Sequence, residues 1–175
     1  ALSPAGLVCA DFGCNVGGFT DCMLQRGAAR VVAVDTGYGT LAWKLRSDAR
    51  VEVRERTNAL HAPPPPEGVD LVTVDLAWTP QRLAVPAALR WLRAGGRIVT
   101  LVKPHYELPE NERGLLVKGF LPHEHAPIVL ARVEAAMPSL GARVLARTES
   151  PITGGKTAKR ARADSAGNIE YLLLL

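Results

Sequence analysis

The sequence predicts an α/β fold, a doubly wound and mostly parallel sheet of seven strands with an antiparallel hairpin at its C-terminal end. Three observations predict it. Strand and helix patterns alternate through the first 138 residues. Residues 69–75 and 97–102 are nearly continuous runs rich in β-branched residues, typical of central parallel strands that are covered on both faces. The last two strand patterns have no strong helical pattern between them, which favours a hairpin at the sheet edge.

The elements are predicted in the following order. Apolar and β-branched runs predict strands at about residues 7–12, 30–35, 51–54, 69–75, 96–102, 143–149 and 168–174. Helical spacing of apolar residues predicts helices at about residues 18–27, 40–47, 80–93 and 123–138. Gly95 and Gly96 are expected to end the third helix. Residues 104–122 are expected to form a long loop directly after a strand.

Length and composition limit the class of protein. A chain of 175 residues, 47% hydrophobic and 22% charged, is expected to fold as a single domain, residues 1–175. No apolar run approaches the roughly 20 residues of a membrane span, and no signal peptide is recognisable. The three cysteines have no paired spacing, which argues against disulfides and zinc. We therefore expect a cytoplasmic protein without membrane contact, whose net charge of +4 is compatible with an RNA partner.

The turn between the first predicted strand and helix carries the strongest functional signal. It reads Asp-Phe-Gly-Cys-Asn-Val-Gly-Gly over residues 11–18, and Asp35 ends the second strand 22 residues after Gly13. Glycines there let the backbone approach a nucleoside-containing cofactor, and the acidic residue can accept hydrogen bonds from a ribose diol. The alternative is an ordinary turn whose glycines allow close packing. The predicted cofactor-binding residues are Asp11, Gly13, Cys14, Asn15, Gly17, Gly18, Phe19, Asp35, Thr36, Thr57, Asn58 and Asp75.

The spacing of this turn distinguishes between cofactors. A dinucleotide fingerprint requires glycine at position 15, which is Asn, and a phosphate loop requires lysine at position 19, which is Phe. Asp11 would repel a phosphate, but it could attract the ammonium group of a methionine moiety. The pattern therefore favours S-adenosylmethionine. Thr57 and Asn58, which follow the third strand, are placed to meet an adenine edge.

Three reactive side chains belong to strands whose ends meet at one edge of the predicted sheet. Asp75 ends the fourth strand, Lys103 follows the fifth, and Glu170 lies in the last. Ligands of open α/β sheets bind beyond the strand ends, so the three residues are candidate catalytic groups. A lysine there can stabilise the alkoxide that forms when a ribose hydroxyl attacks a sulfonium methyl, or take the proton itself if burial keeps it neutral. No metal is needed. Alternatively, Asp75 caps a helix and the other two form a surface ion pair.

Other polar and aromatic residues have weaker interpretations. His123 and His125 have only one residue between them, and we predict no metal site there. Trp43 is interpreted as a core residue or a wall of the cofactor pocket. Trp78 could stack on a flipped base or cover the pocket. A basic loop could bind RNA phosphates or simply be solvated. Its basic residues are Lys156, Lys159, Arg160 and Arg162.

Several motifs resemble the TlyA-like haemolysin/ribosomal RNA methyltransferase family, within the wider FtsJ-like ribose methyltransferase group. The segments that carry the resemblance are Gly17-Gly-Phe-Thr-Asp21, Leu24-Gln-Arg-Gly-Ala28, Val32-Ala-Val-Asp35, Gly37-Tyr-Gly39, Leu41-Ala-Trp-Lys-Leu-Arg46, Glu55-Arg-Thr-Asn58, Leu101-Val-Lys-Pro104, Ser150-Pro-Ile-Thr-Gly154 and Gly167-Asn-Ile-Glu-Tyr171. The resemblance implies a class I, Rossmann-like methyltransferase fold and S-adenosylmethionine as cofactor. It also implies 2′-O-methylation of cytidine in ribosomal RNA, with RNA or ribosomal subunits as the partner.

The resemblance further implies a catalytic tetrad of Lys, Asp, Lys and Glu. Asp75, Lys103 and Glu170 fill three of its positions. The first lysine, expected on a helix just before the first strand, has no counterpart in this sequence, and neither has the family's small N-terminal RNA-binding domain. His105 and Tyr106 also stand where the family usually has Gln and Phe. Two alternatives stay open, a cofactor-binding module without catalysis and a methyltransferase for a base nitrogen or another acceptor.

Overall fold

The computed structural model describes residues 2–154 and 167–175, and within them it forms one sheet of seven strands. The strands are β1 (Val8–Phe12), β2 (Arg30–Val34), β3 (Val51–Arg54), β4 (Val69–Val74), β5 (Leu92–Val102), β6 (Ala146–Glu149) and β7 (Tyr171–Leu174). Their spatial order is β3-β2-β1-β4-β5-β7-β6. The first five are mutually parallel, and β7 runs antiparallel to both of its neighbours. The predicted fold class is confirmed. The predicted hairpin consists of β6 and β7 and lies at one end of the sheet, with β6 as the edge strand and β7 between β5 and β6.

Helices cover the two faces of the sheet. The helices are α1 (Gly18–Gln25), α2 (Trp43–Arg46), α3 (Gln81–Leu89), α4 (Pro104–Glu107) and α5 (Ala126–Ala136). Side chains of α1 and α2 pack in one apolar cluster, and those of α3 and α5 pack in a second, larger one. Successive residues of β1 alternate between the clusters, Cys9 in the first and Ala10 in the second, as the two-residue period of a strand requires. None of the helices in the described ranges is long and apolar enough to cross a membrane.

The structure corrects one predicted helix boundary and one predicted loop. Helix α3 ends at Leu89, and Gly95 and Gly96 lie inside β5 rather than after a helix. Gly95 has a φ of +81° in a strand whose register with β4 shifts, so the glycines accommodate an irregular strand. Residues 104–122 are also more regular than predicted, since they contain α4 and a 3₁₀ helix at Glu110–Leu115.

The tryptophans show which aromatic residues build the core. Trp91 is fully buried, its ring lies edge-on to Phe12 at a centroid distance of 4.9 Å, and its indole N–H donates to the carbonyl of Ala62. Trp43, expected in the core or in the wall of the cofactor pocket, is 78% exposed. Helix α2 has only four residues, and Leu45 is the one that faces the core.

Candidate active site

A cavity of about 400 Å³ lies at the carboxyl ends of the parallel strands. Most of the predicted cofactor-binding residues line it together with Lys103. Those residues are Gly13, Asn15, Asp35, Thr36, Thr57, Asn58 and Asp75. The other predicted cofactor-binding residues lie around the turn but do not line the cavity. They are Asp11, Cys14, Gly17, Gly18 and Phe19.

The structure requires glycine at two positions of the turn, for different reasons. Gly13 has a φ of +82°, and a Cβ atom placed on it would lie 2.2 Å from the carbonyl oxygen of Asp75. Gly17 has a φ of +105°, and its Cβ atom would lie 2.1 Å from a methyl carbon of Leu45. Around Gly18 there is open space. Gly13 therefore allows the ends of β1 and β4 to meet beside the cavity, whereas Gly17 allows α2 to pack against the turn.

Asp35 is held at the rim of the cavity by the backbone. One carboxylate oxygen accepts the N–H of Asn15 at 2.8 Å, and the other accepts the N–H of Gly37 at 2.7 Å. These two bonds fix the orientation of the carboxylate. Each oxygen keeps a further lone pair, so Asp35 can still accept hydrogen bonds from a diol.

Asp11 lies inside the protein rather than on the cavity wall. It is 1% exposed, and its carboxylate accepts hydrogen bonds from the backbone N–H and the hydroxyl of Thr20 and from the hydroxyl of Thr73. Burial raises the pKa of Asp11 to about 6, against the effect of these hydrogen bonds. The contacts join β1 to the start of α1 and to β4, and they hold the turn that presents Gly13.

The three candidate catalytic residues come together beside this cavity. The ammonium group of Lys103 forms an ion pair with Asp75, and the Lys103 side chain is only 15% exposed. Glu170 is 8% exposed, and its carboxylate packs against Gly154, where a Cβ atom would lie 2.0 Å from it. Burial raises the pKa of Glu170, while the charge of Lys103 acts in the opposite direction. The charges of the three residues are therefore close enough to influence one another.

The helix-cap alternative for Asp75 does not fit the structure. The first backbone N–H of α3, that of Gln81, is accepted by both carboxylate oxygens of Glu107 at 2.9 and 3.2 Å. The side chain of Gln81 accepts the hydroxyl of Thr100 and donates to the carbonyl of Leu101. Glu107 was not singled out in the sequence, because no local pattern links it to a helix that begins 26 residues earlier.

Asn168 is a second residue that the sequence interpretation missed. Its side chain donates to the carbonyl of Gly119 and accepts the N–H of Leu121, while its backbone exchanges two hydrogen bonds with Gly154. It is 5% exposed. These contacts bind three segments together two residues before Glu170. Asparagine is uncommon in strands, so its position at the start of the last predicted strand could have indicated a structural role.

We expect the partly buried Glu107 carboxylate to make the free energy of unfolding depend on pH. Burial raises its pKa from the usual 4.5 to about 7, although the Gln81 N–H and the charge of Arg82 lower it. Its contribution to stability is complete below about pH 4.5 and is lost as the pH rises through 7. Glu107→Gln should remove this dependence. Between pH 4.5 and pH 8, the free energy of unfolding of the wild type should therefore fall relative to that of the variant by on the order of 3 kcal/mol.

Urea unfolding of both proteins across this pH range tests the expectation. Asp11, whose pKa is also raised, contributes equally to both proteins, so their difference isolates Glu107. The exposed Glu110→Gln serves as the control and should follow the wild type. Parallel curves for Glu107→Gln and the wild type would contradict the raised pKa.

Two further predictions concern the basic loop and metal binding. Lys156, Lys159, Arg160 and Arg162 lie outside the described residues. Within residues 2–154 and 167–175, no group of three or more His, Cys, Asp or Glu side chains is arranged to hold a metal ion.

Comparison with known proteins assigns the chain to a family. Residues 1–160 match the model of the FtsJ-like methyltransferases. The chain belongs to this family. This confirms the resemblance that its motifs indicated. In this FtsJ-like methyltransferase domain, the strand ends, the glycine turn and the ion pair of Lys103 meet at the cavity described above.

Curated relatives support the assignment. The chain is 40% identical to the 16S/23S rRNA (cytidine-2'-O)-methyltransferase TlyA of Mycobacterium tuberculosis, over all of this chain and 62% of the relative. It is 32% identical to hemolysin A of Brachyspira hyodysenteriae, over 98% of this chain and 68% of the relative. The chain thus spans about three fifths to two thirds of the length of these curated relatives.

Solved structures show the same fold. A protein from Streptococcus thermophilus, described as a hemolysin, superposes with a TM-score of 0.86 at 36% identity and covers 99% of this chain and 60% of its own. An S-adenosylmethionine-dependent methyltransferase from Mesorhizobium loti superposes with a TM-score of 0.67 at 17% identity, over 99% of this chain and 92% of its own. At that identity the second structure supports the fold alone.

Proposed function

We propose that this FtsJ-like domain transfers a methyl group from S-adenosylmethionine to the 2′-oxygen of a ribose in ribosomal RNA, with cytidine as the nucleoside. The observation that carries the proposal is the ion pair of Lys103 and Asp75 on the cavity wall, with the buried Glu170 within its electrostatic reach. The names of the TlyA relatives give the reaction, the nucleoside and the RNA.

The cavity fits S-adenosylmethionine. Gly13 lines it and lets the ends of β1 and β4 approach each other there, and Asp35 offers fixed carboxylate oxygens that suit the ribose hydroxyls of the cofactor. Thr57 and Asn58 line the same cavity and are suited to the adenine edge. When bound, the cofactor supplies a methyl group activated by a sulfonium centre.

Lys103 supplies the positive charge that the reaction needs. A ribose hydroxyl is a poor nucleophile, and negative charge develops on its oxygen as the new bond forms. In its ion pair with Asp75, the Lys103 ammonium is placed to stabilise the developing oxyanion. As the oxygen–methyl bond forms, the methyl–sulfur bond breaks and its electron pair stays on sulfur, while the hydroxyl proton passes to water. Fixing both reactants in one cavity can contribute roughly 7–11 kcal/mol to lowering the barrier of a bimolecular transfer.

The test is transfer of labelled methyl from S-adenosylmethionine to undermethylated ribosomal RNA and to intact ribosomal subunits. We expect incorporation, with the label on a cytidine ribose. Label on a base nitrogen would favour the alternative acceptor, for which the exposed Trp78 beside the cavity is the supporting observation. Cofactor binding without any transfer would favour a binding module without catalysis.

A further inference from the structure

A second cavity, of about 340 Å³, adjoins the first. Trp78 lines both, so its indole is a wall common to the two cavities. His105, which lies two residues after Lys103, and Tyr106 line the second cavity at the start of α4. Arg113 and Leu116 line it as well.

Aromatic rings form one side of this second cavity. The ring centroids of Trp78 and Tyr106 lie 5.9 Å apart, and those of His105 and Tyr106 lie 4.1 Å apart. Trp78 is 74% exposed and has a φ of +53°, a left-handed backbone conformation that is uncommon for a bulky residue. A strained backbone that holds an indole in solvent is typical of a functional site rather than of packing. Exposed aromatic rings of this kind stack on unpaired nucleobases.

Two polar side chains complement the rings. The Nδ1 atom of His105 is buried and has no hydrogen-bond partner among the described residues. Burial and the charge of Lys103 lower the pKa of His105 to about 4, so its imidazole is neutral near pH 7 and offers one donor and one acceptor. Arg113 is exposed on the cavity wall, and the described part of the chain gives it no ion pair. A guanidinium is suited to a phosphate group.

We propose that this second cavity is a subsite for an unstacked nucleobase of the RNA substrate. Tyr106 and Trp78 stack on the base, His105 hydrogen-bonds to its edge, and Arg113 binds the adjoining phosphate. The inference rests on the proposed function in one respect, that RNA is the substrate. The base belongs either to the methylated nucleotide or to its neighbour, because the second cavity shares Trp78 with the cavity that Lys103 lines.

Binding of cytidine 5′-monophosphate tests the subsite without requiring catalysis. Titrations followed by NMR, with S-adenosylhomocysteine saturating the first cavity, should show binding to the wild type. Tyr106→Ala should weaken it about 5- to 100-fold, the range found for lost base stacking. Arg113→Ala should weaken it about 10-fold or more, because the charge-assisted hydrogen bond to the phosphate is lost. His105→Phe, which keeps a ring but removes the nitrogens, should weaken it about 5-fold or more. The matched controls Tyr38→Ala and Arg143→Ala, which change exposed residues outside both cavities, should bind like the wild type.

Two results would overturn the subsite. One is the absence of nucleotide binding by the wild type, and the other is an equal affinity in the cavity variants and the controls. Unchanged affinity for S-adenosylhomocysteine shows that each variant is folded. A wild type that binds the nucleotide but methylates no RNA would contradict the proposed function and leave the subsite standing.

Methyl-transfer kinetics identify the source of the base. In an RNA that the wild type methylates, Tyr106→Ala should raise KM for the RNA about 10-fold and leave the affinity for the cofactor unchanged. Abasic substitutions are then placed at the methylated nucleotide and at each neighbour. If a base occupies the subsite, removing that base should abolish the difference in KM between Tyr106→Ala and the wild type. The position at which this happens identifies the base. No such position would contradict the proposal.

Discussion

Lys103→Ala is expected to lower the rate of methyl transfer by about 10³-fold or more while cofactor affinity changes less than about threefold. Among the three candidate catalytic residues, Asp75, Lys103 and Glu170, only Lys103 carries a positive charge, and its ammonium contacts Asp75 on the cavity wall. Without this ammonium, neither Asp75 nor Glu170 can stabilise the oxyanion, and the negative charge of Asp75 repels the oxyanion. Initial rates with ribosomal RNA and calorimetric titration of the cofactor measure the two quantities.

Two further variants make this result specific. Lys44→Ala removes an exposed lysine that pairs with Asp21 and should leave both quantities unchanged. Lys103→Arg keeps the charge but changes its geometry, so activity should lie between the wild type and Lys103→Ala. Parallel loss of cofactor affinity in Lys103→Ala would make Lys103 a structural residue, and full activity would remove it from the mechanism.

Gly13→Ala is expected to lower the free energy of unfolding by about 2 kcal/mol or more and cofactor affinity by at least about 10-fold. The new Cβ atom would lie 2.2 Å from the carbonyl oxygen of Asp75, and the φ of +82° is itself unfavourable for alanine. The backbone must move to relieve this contact, and the movement displaces the end of β4 together with Asp75. Urea unfolding and cofactor titration measure the effects.

Gly18→Ala is the matched control. Gly18 begins α1, its backbone is helical, and no heavy atom lies within 4 Å of the position that a Cβ atom would take there. Alanine favours a helix over glycine by up to about 1 kcal/mol, so this variant should be as stable as the wild type or slightly more stable. If both variants lose cofactor affinity equally, the close approach of Gly13 to β4 is not the cause.

The sequence was sufficient to predict how the cavity is placed, because the reasoning needed only local patterns and one rule of topology. Continuous β-branched runs indicate central parallel strands, as in β4. Parallel strands end at a common edge, so the positions of Gly13, Asp35, Asp75 and Lys103 in the sequence were enough to expect them together. All four line the cavity.

Long-range contacts could not be predicted in this way. Asp11 was expected to face the cofactor, but its oxygens bind Thr20 and Thr73, the latter 62 residues away. Gly95 was interpreted as a helix end, although a glycine in an irregular strand has the same local signal. The catalytic roles of Asp75, Lys103 and Glu170 remain predictions, since they depend on the family resemblance and on chemistry that only kinetics can test.

The insertion of β7 between β5 and β6 gives the protein an order of assembly. Every residue that lines the first cavity lies between positions 13 and 103, whereas Glu170 immediately precedes β7. During synthesis from the N-terminus, the segments that bind the cofactor therefore emerge well before the strand that brings in the last carboxylate. The group of Asp75, Lys103 and Glu170 is complete only when β7 has filled the gap beside β5.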